Sequence, residues 1–246
     1  MSSTDRDRDA PDDAGALPEG ITRAVLERDG IRGAMQIRHP DIALHSDAAI
    51  RASLRETLAN RPASDAPGVW VFAYGSLLWN PCVAVGERIM ARLFGFHRDF
   101  QLKLTYARGS PEAPGMMLGL VPGGSCRGVA LRVVGDDLEH ELMMVWRREM
   151  LTGVYKPRWV ELQPERPGPR IRAIAFVVDP GHRCYCGRLP DDDVVELLAT
   201  GRGMIGTSAE YLINTVDHLD THGIHDRRLR ALRQRVMARS EQGALR

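Results

Sequence analysis

The chain has 246 residues, 43% of them hydrophobic and 26% charged, and a formal net charge of +1 at pH 7. This is ordinary globular composition, long enough for one core with an appendage, and it excludes collagen, wholesale disorder and a disulfide-stapled miniprotein. A charge so near zero supplies no global field for nucleic acid or an anionic membrane surface, so a small-molecule partner fits better.

Residues 1–20 are polar and rich in Asp and Pro, with no apolar region of a secretory signal, and read as a disordered leader. No stretch approaches the roughly 18 consecutive apolar residues of a membrane span. A cytoplasmic monomer is therefore expected. Residues 21–67 read as a helical extension and linker. From Asp47 to Asn60, Ile50, Leu54 and Leu58 fall four apart behind Ser46 or Asp47 as cap. Two prolines and a glycine between Arg61 and Gly68 then interrupt every period.

The main domain is expected over residues 68–240. Strand-like runs follow at Val69–Tyr74, Ala91–Phe96, Phe100–Thr105, Met116–Val121 and Gly128–Val134, punctuated by Gly and Pro. Asp136–Met150 switches to helical period, strands return at Val154–Leu162 and Ile171–Val178, and three helical patterns end the chain. This order predicts an α+β fold with a mostly antiparallel sheet.

Two segments stand out chemically. In Val69-Trp-Val-Phe-Ala-Tyr-Gly-Ser-Leu-Leu-Trp79, a β-branched and aromatic run stops at Gly75-Ser76. A glycine there lets successive N–H groups turn inward as a nest for an anion, carboxylate or phosphate; the plain alternative is a strand-turn connection. In the helix Asp136–Met150, Leu138, Leu142, Val145 and Glu149 share one face, so Glu149 extends an apolar stripe. It does so in the last turn, where the macrodipole disfavours negative charge, and both facts predict a raised pKa. The plain alternative is pairing with Arg147, Arg148 or Arg158, or escape to water.

The Tyr74-Gly-Ser-Leu-Leu-Trp79 segment resembles the glutamyl-binding signature of ChaC-like γ-glutamylcyclotransferases, and Arg148-Glu149-Met-Leu-Thr-Gly153-Val-Tyr155 resembles the segment that carries their catalytic glutamate. Arg108–Gly115, Cys126–Ala130 and Thr207–Leu212 are similar to the family in the same order, although Met116 stands where some relatives have an arginine. The resemblance spans about the last three quarters of the chain. It implies a small mixed β-barrel flanked by helices, no cofactor, and Glu149 as proton carrier. It also implies substrate binding by Phe72, Ala73, Tyr74, Gly75, Ser76, Leu77 and, as a further polar contact, Tyr211; Arg108 is expected to organise its loop. The implied activity is release of 5-oxoproline and cysteinylglycine from glutathione. Cyclotransfer from other γ-glutamyl amino acids or amines, and a non-catalytic γ-glutamyl-binding module, are the alternatives.

Other patterns carry less. Gly201-Arg-Gly203-Met-Ile-Gly206 matches G-x-G-x-x-G, but a helical pattern precedes it where a dinucleotide turn requires a strand. Cys82, Cys126, Cys184 and Cys186 lack zinc or disulfide spacing, even with His182 beside Cys184, so no metal is expected. Six arginines between Asp226 and Arg239 alternate with Leu229, Leu232 and Val236 as on a solvated amphipathic helix.

Overall fold

The computed structural model describes Leu17 and residues 20–62 and 68–244, so the leader, apart from Leu17 and Gly20, and the middle of the linker lie outside the described residues. Five strands close into a barrel in the order β1-β3-β2-β4-β5: β1 is Val69–Ala73, β2 Val85–Leu104, β3 Gly115–Val133, β4 Tyr155–Pro164 and β5 Ile171–Val178. Every neighbouring pair is antiparallel except β1 with β5, where Trp70 faces Ala173 and Val71 faces Ile174 in parallel. The fold is the mixed barrel expected.

Four predicted strands merge into two. The runs at Ala91–Phe96 and Phe100–Thr105 are one strand, β2, and those at Met116–Val121 and Gly128–Val134 are β3. The intervening glycines do not break the ladder. Gly95, Gly123 and Gly124 have positive φ values of 84°, 100° and 67°, and the register of the hairpin shifts between Phe94 and Phe96 while pairing continues on both sides. A shift of this kind bends a strand without ending it.

Three helices precede the barrel: α1 (Arg23–Glu27), α2 (Gly30–Arg38) and α3 (Asp47–Ala59), the last capped as predicted by Ser46, whose Oγ accepts from Ala49 N–H. The first two fall in the stretch read as a helical extension, although the sequence assigns no individual helix there. The helix α4 spans Leu138–Glu149 between β3 and β4, with Asp137 accepting from His140 N–H at its start. Leu142 and Val145 are fully buried, so the apolar stripe faces inward as expected. At the C-terminal end, α5 (Asp191–Thr200), α6 (Ser208–Thr221) and α7 (Arg227–Ala244) pack together. Leu229, Leu232 and Val236 of α7 are buried, and its arginines pair with Asp99, Asp191, Asp192, Asp217 and Asp220. These cations are engaged within the chain.

The G-x-G-x-x-G segment is a small ribbon, β6 (Arg202–Gly203) and β7 (Gly206–Thr207), running from α5 into α6. Among the described residues no helix is long and apolar enough to cross a membrane, and no three His, Cys, Asp or Glu side chains are grouped to hold a metal ion. His182 contacts the Thr152 carbonyl and Cys184 N–H, and Cys184 Sγ lies 3.5 Å from Tyr106 Oη.

Candidate active site

Directly after β1, Tyr74 and Gly75 lead into a single 3-10 turn, Ser76–Leu78. The turn's own bonds use the N–H groups of Leu78, which donates to the Gly75 carbonyl, and of Trp79 and Asn80, which donate to that of Ser76. Those of Gly75, Ser76 and Leu77 have no hydrogen-bond acceptor among the described residues, the usual condition at a helical N-terminus and the basis of an anion site. Gly75 has φ −141°, so its requirement for glycine is one of space, not of left-handed backbone. A Cβ there would stand 3.2 Å from Tyr211 Oη.

The turn is fixed from behind. Buried Arg98 donates from Nη1 to the Tyr74 carbonyl at 2.7 Å, and Tyr74 Oη donates to the Phe176 carbonyl of β5, also at 2.7 Å. Phe72 and Ala73 are fully buried in β1 and line neither cavity at the site. Their side chains support the turn from the core.

Glu149 ends α4, and its side chain is 13% exposed. Burial raises its pKa, opposed by the adjacent Arg148 guanidinium, whose Nε lies 3.2 Å from Glu149 Oε1. The two readings of the sequence are thus both present: Glu149 faces inward and is also paired. Arg148 is itself 7% exposed and donates to the Asn80 carbonyl just past the turn, so one side chain links the helix terminus to the glycine turn.

A narrow niche of about 20 Å³ is lined by Tyr74, Gly75, Ser76, Leu77, Glu149, Tyr155 and Tyr211 among others, room for about one water-sized group. A wider, outer cavity of about 110 Å³ shares Ser76, Glu149, Tyr155 and Tyr211 with it and is lined also by Arg108 and Arg148. The turn and the acid, far apart in sequence, therefore meet around one space. Tyr211 is buried, interacts with Ser76, and its hydroxyl is pushed up to about 12 mainly by that burial.

Arg108 organises its loop by donating from Nη1 to the Thr207 carbonyl at 3.0 Å, and it also reaches the cavity, 5.0 Å over the Tyr211 ring. Burial lowers its pKa. Tyr155 was visible in sequence only as part of a motif. It lines both spaces and is held by donation from Oη to the Leu118 carbonyl at 2.8 Å. Neither wall position follows from spacing, because each depends on which strand end the barrel brings to this rim.

A barrel closed this way, with a bare glycine turn facing a sequestered helix-terminal acid, has counterparts of known kind. A solved structure of a yeast γ-glutamyl cyclotransferase specific to glutathione aligns with a TM-score of 0.64 at 20% identity, over 70% of this chain and 97% of that one. The fold is shared. The chain belongs to the ChaC-like protein family, whose model matches residues 69–239. It is 42% identical over 175 residues to the glutathione-specific γ-glutamylcyclotransferase of Escherichia coli strain K12, covering 71% of this chain and 74% of the relative. To the human glutathione-specific γ-glutamylcyclotransferase 1 it is 30% identical over 166 residues, 66% of this chain and 75% of the relative.

Proposed function

We propose that this chain is a glutathione-specific γ-glutamylcyclotransferase. The reading is carried by the shared niche, which is lined by both the Gly75–Leu77 turn, whose N–H groups have no acceptor among the described residues, and Glu149. In this reading residues 68–240 form the catalytic unit, 21–67 an extension and 1–20 a leader. The protein acts as a cytoplasmic monomer on a small molecule, with no part for nucleic acid or membrane.

A γ-glutamyl amide carries its own nucleophile. Its α-amine closes a five-membered lactam on the γ-carbonyl carbon as the bond from that carbon to the leaving nitrogen breaks. In water the amine is mostly ammonium, with a reference pKa of about 8, and the amide is a poor electrophile. The turn would hold the α-carboxylate through main-chain N–H groups and so fold the substrate for attack, drawing on effective molarities that reach about 10⁵ M. The ammonium would sit in the niche against Glu149.

Glu149 takes a proton from the ammonium, and the freed amine attacks. The lactam nitrogen keeps one of its three hydrogens; the other two pass to the departing nitrogen, one returned by Glu149, and cysteinylglycine leaves as an ammonium. Burial suits the carboxyl to this exchange, since an ordinary glutamate near about 4.3 is a feeble base for it. The cationic Arg108 at the outer cavity suits the carboxylate at the far end of the dipeptide.

The test is purified protein with glutathione, with γ-glutamyl-alanine and γ-glutamyl-lysine beside it, scored for 5-oxoproline. Preferred turnover of glutathione is expected. Equal rates on all three would replace the reading by a general cyclotransferase, and ligand-dependent thermal stabilisation without turnover by a binding module.

A further inference from the structure

The outer cavity is not built by the barrel alone. Ile21, just before α1, and Ile31 and Met35 of α2 line it together with Met117, Met204 and Ile205. All three N-terminal residues precede the family match, which begins at residue 69. The yeast structure is 97% covered by 70% of this chain, so most of the remainder is additional to the shared unit. We propose that α1 and α2 are a substrate-selecting wall of the active site, in which Ile31 and Met35 receive the leaving group of the γ-glutamyl substrate.

The wall is registered to the reacting end. Arg147, two residues before the end of α4, donates from Nη1 to the carbonyls of Leu26 and Glu27 at 2.9 and 2.8 Å. Asn80, beyond the glycine turn, donates to the Ile21 carbonyl at 2.6 Å. Farther along, His45 N–H donates to the Leu151 carbonyl at 2.8 Å, and its ring Nδ1 lies 3.0 Å from the Met150 carbonyl. The extension is thus bonded to the residues that flank Glu149 on both sides. It makes these bonds chiefly through its own main-chain atoms, fixing distance and angle.

Its chemistry differs from that of the inner niche. Two isoleucines and a thioether give no hydrogen bond, so they cannot compete for the γ-glutamyl head; they reward apolar or sulfur-bearing surface beyond the scissile amide. Met35 is 2% exposed, and His39, which caps the same helix, has its ring 6.4 Å from that of Tyr106, which also lines the cavity. A leaving group of two residues with a thiol side chain has surface to offer this wall. A leaving alanine has less.

This inference rests on the proposed reaction, and the experiment separates the two. In the full chain, Ile31→Ala with Met35→Ala should raise KM for glutathione about fivefold or more, with kcat within about twofold. The constant for γ-glutamyl-alanine, measured as substrate or as competitive inhibitor, should move by less than about twofold. Ile31→Trp, at a half-buried position on the cavity wall, should cost glutathione about tenfold in kcat/KM and spare γ-glutamyl-alanine. Equal effects on both ligands, or none on either, overturn the wall. If no γ-glutamyl compound is turned over, the reaction is wrong, and calorimetric titration of glutathione into Glu149→Gln decides the wall separately. An affinity about fivefold weaker with the Ala pair supports it; unchanged or absent binding overturns it.

Discussion

The two halves of the cavity are held by different forces. The inner half is fixed by buried hydrogen bonds: Arg98 and the Phe176 carbonyl grip Tyr74, and Arg148 joins the turn to the acid. The outer half hangs on contacts nearer the surface, such as Arg23, 41% exposed, bonded through Nη1 and Nη2 to Glu141 at 2.9 and 2.6 Å. Low dielectric makes the inner bonds strong and their loss costly, whereas solvent discounts the outer ones. Position of the reacting atoms is therefore the robust property, and choice among substrates the adjustable one.

The sharpest way to break this contrast is Glu149→Gln, which should lower kcat about 10³-fold while glutathione still binds. Near-normal turnover would remove Glu149 from the reaction. Stability should not fall with it. Burial lifts the folded pKa of Glu149 above its unfolded value, so its contribution is greatest below the unfolded value and declines as pH rises through the folded one. At pH 8 the Gln variant should therefore melt no lower than the parent, as scanning calorimetry would record.

Gly75→Ala comes next, at about 10² in kcat/KM, because the added methyl stands 3.2 Å from Tyr211 Oη, so that the turn or the hydroxyl must shift. Tyr211→Phe alone should cost about tenfold. The double variant should be no worse than Tyr211→Phe, since the clashing oxygen is gone; full additivity would mean that the glycine serves some other purpose.

A third measurement sharpens the electrostatics. The working base is the carboxylate, so kcat/KM should fall on the acid side through a pKa above the ordinary glutamate value of about 4.3. Arg148→Met removes the opposing cation and should move that limb to higher pH, with activity at pH 7 down about tenfold. A limb that stays put would assign the titration to another group. The smallest effect belongs to the outer half: Arg23→Ala should weaken the tether by at most about 1 kcal/mol and raise KM for glutathione only about twofold.

Much of this was legible before any coordinates. Period-two runs between glycines mark the barrel strands, and the four-residue spacing behind Glu149 gives its inward face. The mergers into β2 and β3 were not legible, because Gly95, Gly123 and Gly124 read as stops when they are bends within a continuing ladder. Nor were α1 and α2 as individual helices. They are five and nine residues long, and α2 contains Gly30 and Gly33, so intrinsic propensity argues against helix and packing against α4 and the cavity decides it. For the site, local chemistry offered the nest and the inward acid beside plain alternatives, and the family resemblance chose between them. Local chemistry did not offer Arg108, Tyr155 or the N-terminal wall, since each is placed by contacts 37 to 121 residues away in the chain, far beyond what a local sequence pattern can encode.

The parallel seam between β1 and β5 has a consequence in time. Trp70 and Ala173 are roughly a hundred residues apart, and a loop that long must lose its freedom before the barrel gains anything from closing. Synthesis delivers the glycine turn early and Tyr211 late, so no pocket exists on the ribosome until most of the chain has emerged. Folding should be slow for a protein of this size, and the nascent chain inert toward its substrate until the seam zips.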